Sequence, residues 1–186
     1  MSRENEKIKR RYNRVSKVYD LLEKPMEKMS MGKWRRVLIR KIEGQRVLEV
    51  GVGTGKNLMY YPDNLKVTGI DFSPQMLQKA KNRTQSKGNI RLYEMDIQKM
   101  KFKDNSFDTV ISSCVFCSVP DPVKGLEEIR RVCKNKGKII MLEHMRSRHK
   151  ILGPFMDLIN FIPLNIWGAN INRRTMQNLI KAGFDP

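Results

Sequence analysis

Long apolar runs are missing from this sequence. No stretch approaches the roughly 20 residues that a membrane-spanning helix needs, so the chain is not expected to cross a bilayer. Cysteine is scarce and odd in number, three among 186 residues. With no signal-peptide pattern, that count fits a reducing cytoplasm better than a disulfide framework. Cys114 and Cys117 form the only close pair, inside an apolar strand-like run, and no second cysteine–histidine pair stands at zinc spacing. A metal centre is therefore not expected. Repeats and low-complexity tracts are absent. The length suits one domain with a full core, and the apolar content is ordinary for a globular chain.

Acidic residues are also in short supply. Lysine and arginine number 37 against 19 aspartates and glutamates, a formal charge of +18. Residues 1–46 carry 15 basic and 6 acidic side chains, so half of the excess lies in a quarter of the chain. Such a field attracts anionic surfaces, whether nucleic acid or acidic lipid. A high-lysine surface kept for solubility explains part of it equally well.

The richest stretch is VLEVGVGTG, Val47 to Gly55, followed by VTGIDF, Val67 to Phe72. An apolar strand ends in Glu49 and opens into a loop with glycines at 51, 53 and 55. A second strand ends in Asp71, 22 residues after Glu49. Strand, tight loop, helix and acidic strand tip form a nucleoside-binding plan, with the second carboxylate placed to grip a ribose. Two common versions are not met. Lys56 stands where a dinucleotide fingerprint wants glycine, and Asn57 where a P-loop wants serine or threonine. A carboxylate just before the glycines would also repel a pyrophosphate. The pattern suits a cofactor with a cationic amino-acid end, no phosphate and an adenosine ribose, a description that S-adenosylmethionine meets.

Around this centre the elements alternate. The spacing predicts amphipathic helices over 7–22 and 26–42, the first with Ile8, Tyr12, Val15, Tyr19 and Leu22 at steps of three and four. Strands are expected at 46–50, 66–70, 90–95, 108–115 and 138–144, with helices at 57–61, from Ser73 to about Lys87, and at 122–133. Ser73-Pro74 supplies an N-cap serine and a first-turn proline. The alternation predicts an α/β, doubly wound, mainly parallel Rossmann-like sheet with its ligand at the carboxyl ends of the strands. Residues 1–45 read as a basic amphipathic N-terminal part and 46–186 as the core. Residues 150–170 break the rhythm: the segment is crowded with Ile, Leu, Phe and Met, and Asp157 is the one charge between Ile151 and Gly168. It reads as a helix packed on the core, an apolar lid over an acceptor, or a surface that dips into a membrane.

At these motifs the chain resembles the class I S-adenosylmethionine-dependent methyltransferases, most of all the quinone-biosynthesis C-methyltransferases and phospholipid N-methyltransferases. Met95-Asp96-Ile97 matches the family's third strand tip, FDTVISSCVFCSV its fourth strand, Val132 to His144 its fifth-strand region, and Ala182-Gly183-Phe184 the end of its last helix. The resemblance implies S-adenosylmethionine as cofactor, held by Glu49, Gly51, Gly53, Thr54, Gly55, Asp71, Phe72, Met76, Asp96, Ile97, Ser113 and Cys114. In that set Glu49 faces the ammonium, Asp71 the ribose, Asp96 and Ile97 the adenine, and Ser113 and Cys114 the methionine. Met76 also reads as plain helix core. Tyr19 resembles the family's N-terminal tyrosine that folds over the cofactor, and His144 stands where a base or headgroup contact could reach the pocket. One departure concerns the family's C-terminal hairpin, strands six and seven: the sequence stops at Pro186, before it, so truncation or an open sheet edge is expected.

Three acceptors fit. Phosphatidylethanolamine accounts best for both the basic start and the apolar segment, with peripheral contact to an anionic membrane. A quinone, thiol or other small molecule follows from the resemblance and from the apolar segment at 150–170. RNA is permitted by charge, although Ser-Ser-Cys-Val-Phe after strand four lacks the Asn/Asp-Pro-Pro-aromatic motif of exocyclic-amine methylation. A cofactor-binding module without catalysis is the alternative of another class.

Overall fold

The computed structural model describes residues 6–14, 31–147, 149–166 and 169–185. Helix α1 covers residues 6–14 and α2 runs Gly32–Arg40. The parts of the two expected N-terminal helices at 15–22 and 26–30, Tyr19 among them, lie outside the described residues. Five strands follow: β1 Arg46–Val50, β2 Lys66–Asp71, β3 Ile90–Glu94, β4 Phe107–Ser113 and β5 Cys133–Leu142. They pair in the order β3-β2-β1-β4-β5, every pair parallel. Helices α3 Pro74–Arg83 and α4 Pro122–Val132 are the crossovers, and α5 Leu152–Ile159, α6 Phe161–Ile166 and α7 Thr175–Lys181 complete the chain. The expected doubly wound sheet is the sheet found, with β5 at its edge among the described residues.

Strand alternation divides the core between the two faces. Leu48, Val50, Ile70 and Val110 pack with Leu126, Ile129 and Val132 of α4. Val47, Val67 and Ile111 pack with Leu38 of α2, Leu77 and Ala80 of α3, and with Leu58 and Tyr61. Glu49 follows Val47 by two and therefore turns to the second face, where it is buried.

Element ends differ from the sequence reading for local reasons. Helix α3 stops at Arg83 rather than near Lys87, because the Thr84 hydroxyl donates back to the Ala80 carbonyl at 2.9 Å, a side-chain bond that competes with helix continuation. Its start is as expected: Ser73 Oγ accepts from the Met76 amide at 3.2 Å. The expected helix at 57–61 is a single 3-10 turn, Asn57–Tyr60. Strand β4 ends at Ser113, before Val115, because Cys114 takes a left-handed φ of 56° that turns the chain out of the sheet. Strand β5 begins at Cys133 instead of 138, directly after α4, with a register shift between Phe107 and Thr109 that absorbs the Lys-Asn-Lys-Gly run.

Away from the carboxyl ends, Asp108 ties three segments together. Its Oδ2 accepts from the Gln45 and Arg46 amides at 3.0 and 2.8 Å, and its Oδ1 from Lys134 Nζ at 2.5 Å. The lysine and the amides hold its carboxyl at about 2, below the usual carboxylate range.

Candidate active site

The strand order reverses between β1 and β4, and both of their loops leave at the carboxyl ends, opening a crevice. A cavity of about 700 Å³ fills it. The glycine loop forms its floor. Val52 donates to the Ile70 carbonyl at 3.0 Å, and Gly53 donates to Asp71 Oδ2 at 2.8 Å, so the loop is fastened to the β2 tip. Asp71 Oδ1 accepts from the Ser73 amide at 2.8 Å. Burial outweighs these bonds and lifts the Asp71 carboxyl to about 6.

Glu49, Gly51, Gly53, Thr54, Asp71, Phe72, Met76, Asp96, Ile97, Ser113, Cys114 and His144 all line this one cavity. The structure thus gathers residues spread over nearly a hundred positions. Gly55 is the exception. It lies off the cavity wall, and its requirement is conformational: φ is 83°, and a Cβ there would lie 2.9 Å from Ala80 Cα of α3. Gly53 has open space where its Cβ would be. Met76 is buried in α3 and also lines the cavity. His144 is on the rim, solvent-accessible.

Beneath the glycine loop lies a buried polar group that the sequence reading missed. Arg35 of α2 donates to Asn57 Oδ1 at 2.5 Å, and Asn57 Nδ2 donates to Glu49 Oε1 at 2.8 Å. Arg35, Glu49 and Asn57 all line the cavity. Burial above all, and then the neighbouring Glu49 charge, pushes the Tyr61 phenol up. Burial dominates at Glu49 and raises its carboxyl to about 7, against the opposing influence of Tyr61, Asn57 and Arg35. Glu49 Oε2 and Ser113 Oγ are buried polar atoms with no hydrogen-bond partner among the described residues. Such atoms are costly unless a ligand satisfies them. An acidic and a basic side chain side by side match the two charges of an amino-acid end, and Asp71 stands apart from them at the β2 tip. The residues present fit S-adenosylmethionine. Arg35 was legible in principle, since it precedes Leu38 by three and shares its buried helix face.

Two further groups shape the rest of the cavity. Glu143, beside the expected His144, accepts from Ser112 Oγ at 2.5 Å and from the Val115 and Phe116 amides at 3.1 Å each. It holds the loop after β4, and with it Ser113 and Cys114, against β5. Its burial raises its carboxyl above the ordinary value. From the other side α1 crosses the opening. Tyr12 meets Ser118 Oγ at 2.5 Å and packs edge-on against Phe72, ring centres 5.9 Å apart. Asn13 accepts from Ser73 Oγ at 2.6 Å, Arg11 donates to the Leu164 carbonyl at 2.7 Å, and Lys9 pairs with Glu94. Tyr12 is thus the aromatic over the site among the described residues. Beyond the glycine loop the wall is mostly apolar: Val115, Val119, Met145, Met156, Pro163 and Ile171. Cys117 is buried there, and burial pushes its thiol up to about 11.

The methyltransferase domain family matches residues 48–141, the span from the first strand to the fifth. The chain belongs to the S-adenosylmethionine-dependent methyltransferases. It is 32% identical over 176 residues to the ubiquinone/menaquinone biosynthesis C-methyltransferase of Citrifermentans bemidjiense, covering 89% of this chain and 74% of that one. It is 40% identical over 104 residues to the phosphatidylethanolamine N-methyltransferase of Cereibacter sphaeroides, covering 54% of this chain and 51% of that relative. The chain therefore spans about half the length of the latter. In fold, this methyltransferase resembles a SAM-dependent methyltransferase from Thermotoga maritima, with TM-score 0.73, 22% identity, and 95% and 81% of the two chains covered. Among the described residues of this methyltransferase no helix is long and apolar enough to cross a membrane.

Proposed function

We propose that this methyltransferase acts on a lipid-soluble acceptor, the amine of phosphatidylethanolamine. The observation that carries the reading is the division of one cavity into a charged cofactor floor and an apolar acceptor wall. When bound, S-adenosylmethionine supplies an electrophilic methyl on a sulfonium centre. Glu49 and Arg35 would hold its amino-acid end by charge, Asp71 would accept from the ribose hydroxyls, and Asp96 with Ile97 would frame the adenine. Ser113 and Cys114, set by Glu143, back the methionine part. Methyl transfer is an in-line displacement, so the remaining tasks are to align the acceptor and exclude water. Val115, Val119, Met145 and Met156 exclude water. An ammonium must lose a proton before it can attack, and His144 on the rim is the group that takes it. The basic N-terminal part and the similarity to a phosphatidylethanolamine N-methyltransferase support the amine.

A second reading is favoured by a specific observation. The similarity to a quinone C-methyltransferase extends over 89% of this chain, and an apolar wall suits a prenylated ring as well as an acyl chain. The two separate in detergent micelles containing either phosphatidylethanolamine or a demethylated quinol, with labelled methyl donor. Label in the lipid amine supports the first reading and label in the quinol replaces it with the second. Label in neither, with the cofactor bound, overturns both.

A further inference from the structure

The outer face of the α5–α6 pair carries a different kind of information from its inner face. Ile151, Leu152, Phe155 and Leu158 recur at one, four and seven positions, one side of a helix, and Phe161 and Ile162 continue it. All six are exposed, from 46% at Ile162 to 76% at Ile151. Soluble surfaces scatter such residues singly, and a continuous apolar strip marks a contact surface. On the inner side of the same pair, Met156 and Pro163 line the acceptor part of the cavity. Asp157, the single charge of α5 and α6, is turned away from the strip and tied to Arg146 at 2.9 Å and to Asn172 at 3.0 Å.

Cations rim the strip. Lys150 lies two residues before the start of α5 and is exposed. Helix α1 touches α6 through the Arg11 bond to Leu164, and its Arg10 and Arg14 are exposed. Lys9 and Arg11, by contrast, are spent on contacts within the protein. An apolar strip with a basic rim is the composition of an interfacial helix on an anionic leaflet.

We infer that the outer face of α5–α6 seats on a bilayer surface containing anionic lipid, so that the acceptor passes from the leaflet into the cavity beside Met156 and Pro163. A second copy of the chain fits less well, because two rims of the same sign in a protein of charge +18 repel. This inference deepens the lipid-acceptor reading and rests on it for what enters the cavity, though not for the docking itself.

The test is flotation of the protein with vesicles of phosphatidylcholine alone or with about a quarter phosphatidylglycerol. Cofactor binding by calorimetry is measured alongside. The expected result is binding to the anionic vesicles only, weakened at least tenfold by Phe155→Ser/Leu158→Ser/Phe161→Ser with cofactor affinity unchanged. Arg10→Glu/Arg14→Glu, which leaves Lys9 and Arg11 in place, should weaken binding and flatten its salt dependence. Equal flotation of the triple serine variant overturns the inference, as does an absence of wild-type binding. A dimer in sedimentation velocity that the serine variant dissolves, without vesicle binding, also overturns it in favour of self-association. Methyl transfer to acceptor in detergent micelles separates the two readings. If it persists in the serine variant while transfer from vesicles falls, docking is upheld. If it is absent in wild type while flotation is as expected, the acceptor reading fails and the docking surface stands.

Discussion

Replacing Glu49 with glutamine should change the pH dependence of both stability and cofactor binding. Burial raises this carboxyl from 4.5 to about 7. Because the folded value exceeds the unfolded one, the side chain's contribution to stability is full below pH 4.5 and is lost as pH rises through about 7. The shift corresponds to about 3 kcal/mol against the ionised form. The cofactor's ammonium would favour that ionised form, so binding draws a proton off Glu49. Between about pH 6 and about pH 7.5 the ionised fraction of Glu49 climbs from about 0.1 to about 0.75, so its share of the affinity should rise about eightfold, on top of a smaller rise from Asp71. Above that range the cofactor's own amine starts to lose its charge. Calorimetry of S-adenosylmethionine binding in two buffers of different ionisation enthalpy reads both the affinity and the released proton. In Glu49→Gln the affinity should be lower and nearly flat across this range, keeping only the tail due to Asp71, which titrates at about 6. Its melting temperature should exceed wild type by a margin that widens as pH rises. A variant that keeps the wild-type pH slope in binding would refute the assignment of Glu49 to the ammonium.

Three other substitutions probe separate parts of the account. Glu143→Gln places an amide where the Val115 and Phe116 amides need acceptors, so it should cost about 2 kcal/mol in denaturant unfolding and weaken cofactor binding through Ser113 and Cys114; unchanged binding would detach the clamp from the site. Tyr12→Ala removes the Phe72 edge contact and the Ser118 bond, together worth about 2 kcal/mol. Cofactor dissociation in stopped flow should quicken by tenfold or more, and an unchanged rate would mean that α1 does not cover the site. Asp108→Ala should cost about 1 to 2 kcal/mol at neutral pH with cofactor affinity intact. Because the folded value of Asp108 lies at about 2, below 3.8, its contribution is present above pH 3.8 and fades as pH falls through about 2. A loss of stability that persists unchanged at pH 2 would contradict this.

The parallel sheet was legible because its signals are local and consistent: Val47-Leu48, Val67 and Val110-Ile111 run apolar between turn residues, and β1 has the bounds expected. The cofactor floor was legible for a similar reason, since Glu49, Gly51, Gly53 and Asp71 sit at fixed steps from strand ends. What escaped depends on contacts between distant segments. Glu143 escapes a sequence reading because nothing in the MLEHM run says which side chain turns toward the loop after β4. Arg35 escapes a sequence reading because its partner, the buried Asn57 amide, lies 22 positions away. Tyr12 was read as one member of an apolar stripe, and its hydroxyl bond to Ser118 spans 106 positions. Gly55 was grouped with the loop glycines by spacing, whereas its requirement comes from the approach of Ala80. Helix α3 was expected too long because the Thr84 back-bond is a side-chain choice that periodicity does not register.

The most direct test of the central claim follows both products of a single incubation. The protein is mixed with S-adenosylmethionine and vesicles containing phosphatidylethanolamine, and lipids and nucleosides are weighed by mass spectrometry. The account predicts a lipid heavier by one methylene in amount equal to the S-adenosylhomocysteine formed, both lost in Asp71→Ala. S-adenosylmethionine bound at the site without a heavier lipid, or turnover unaffected by Asp71→Ala, would contradict it.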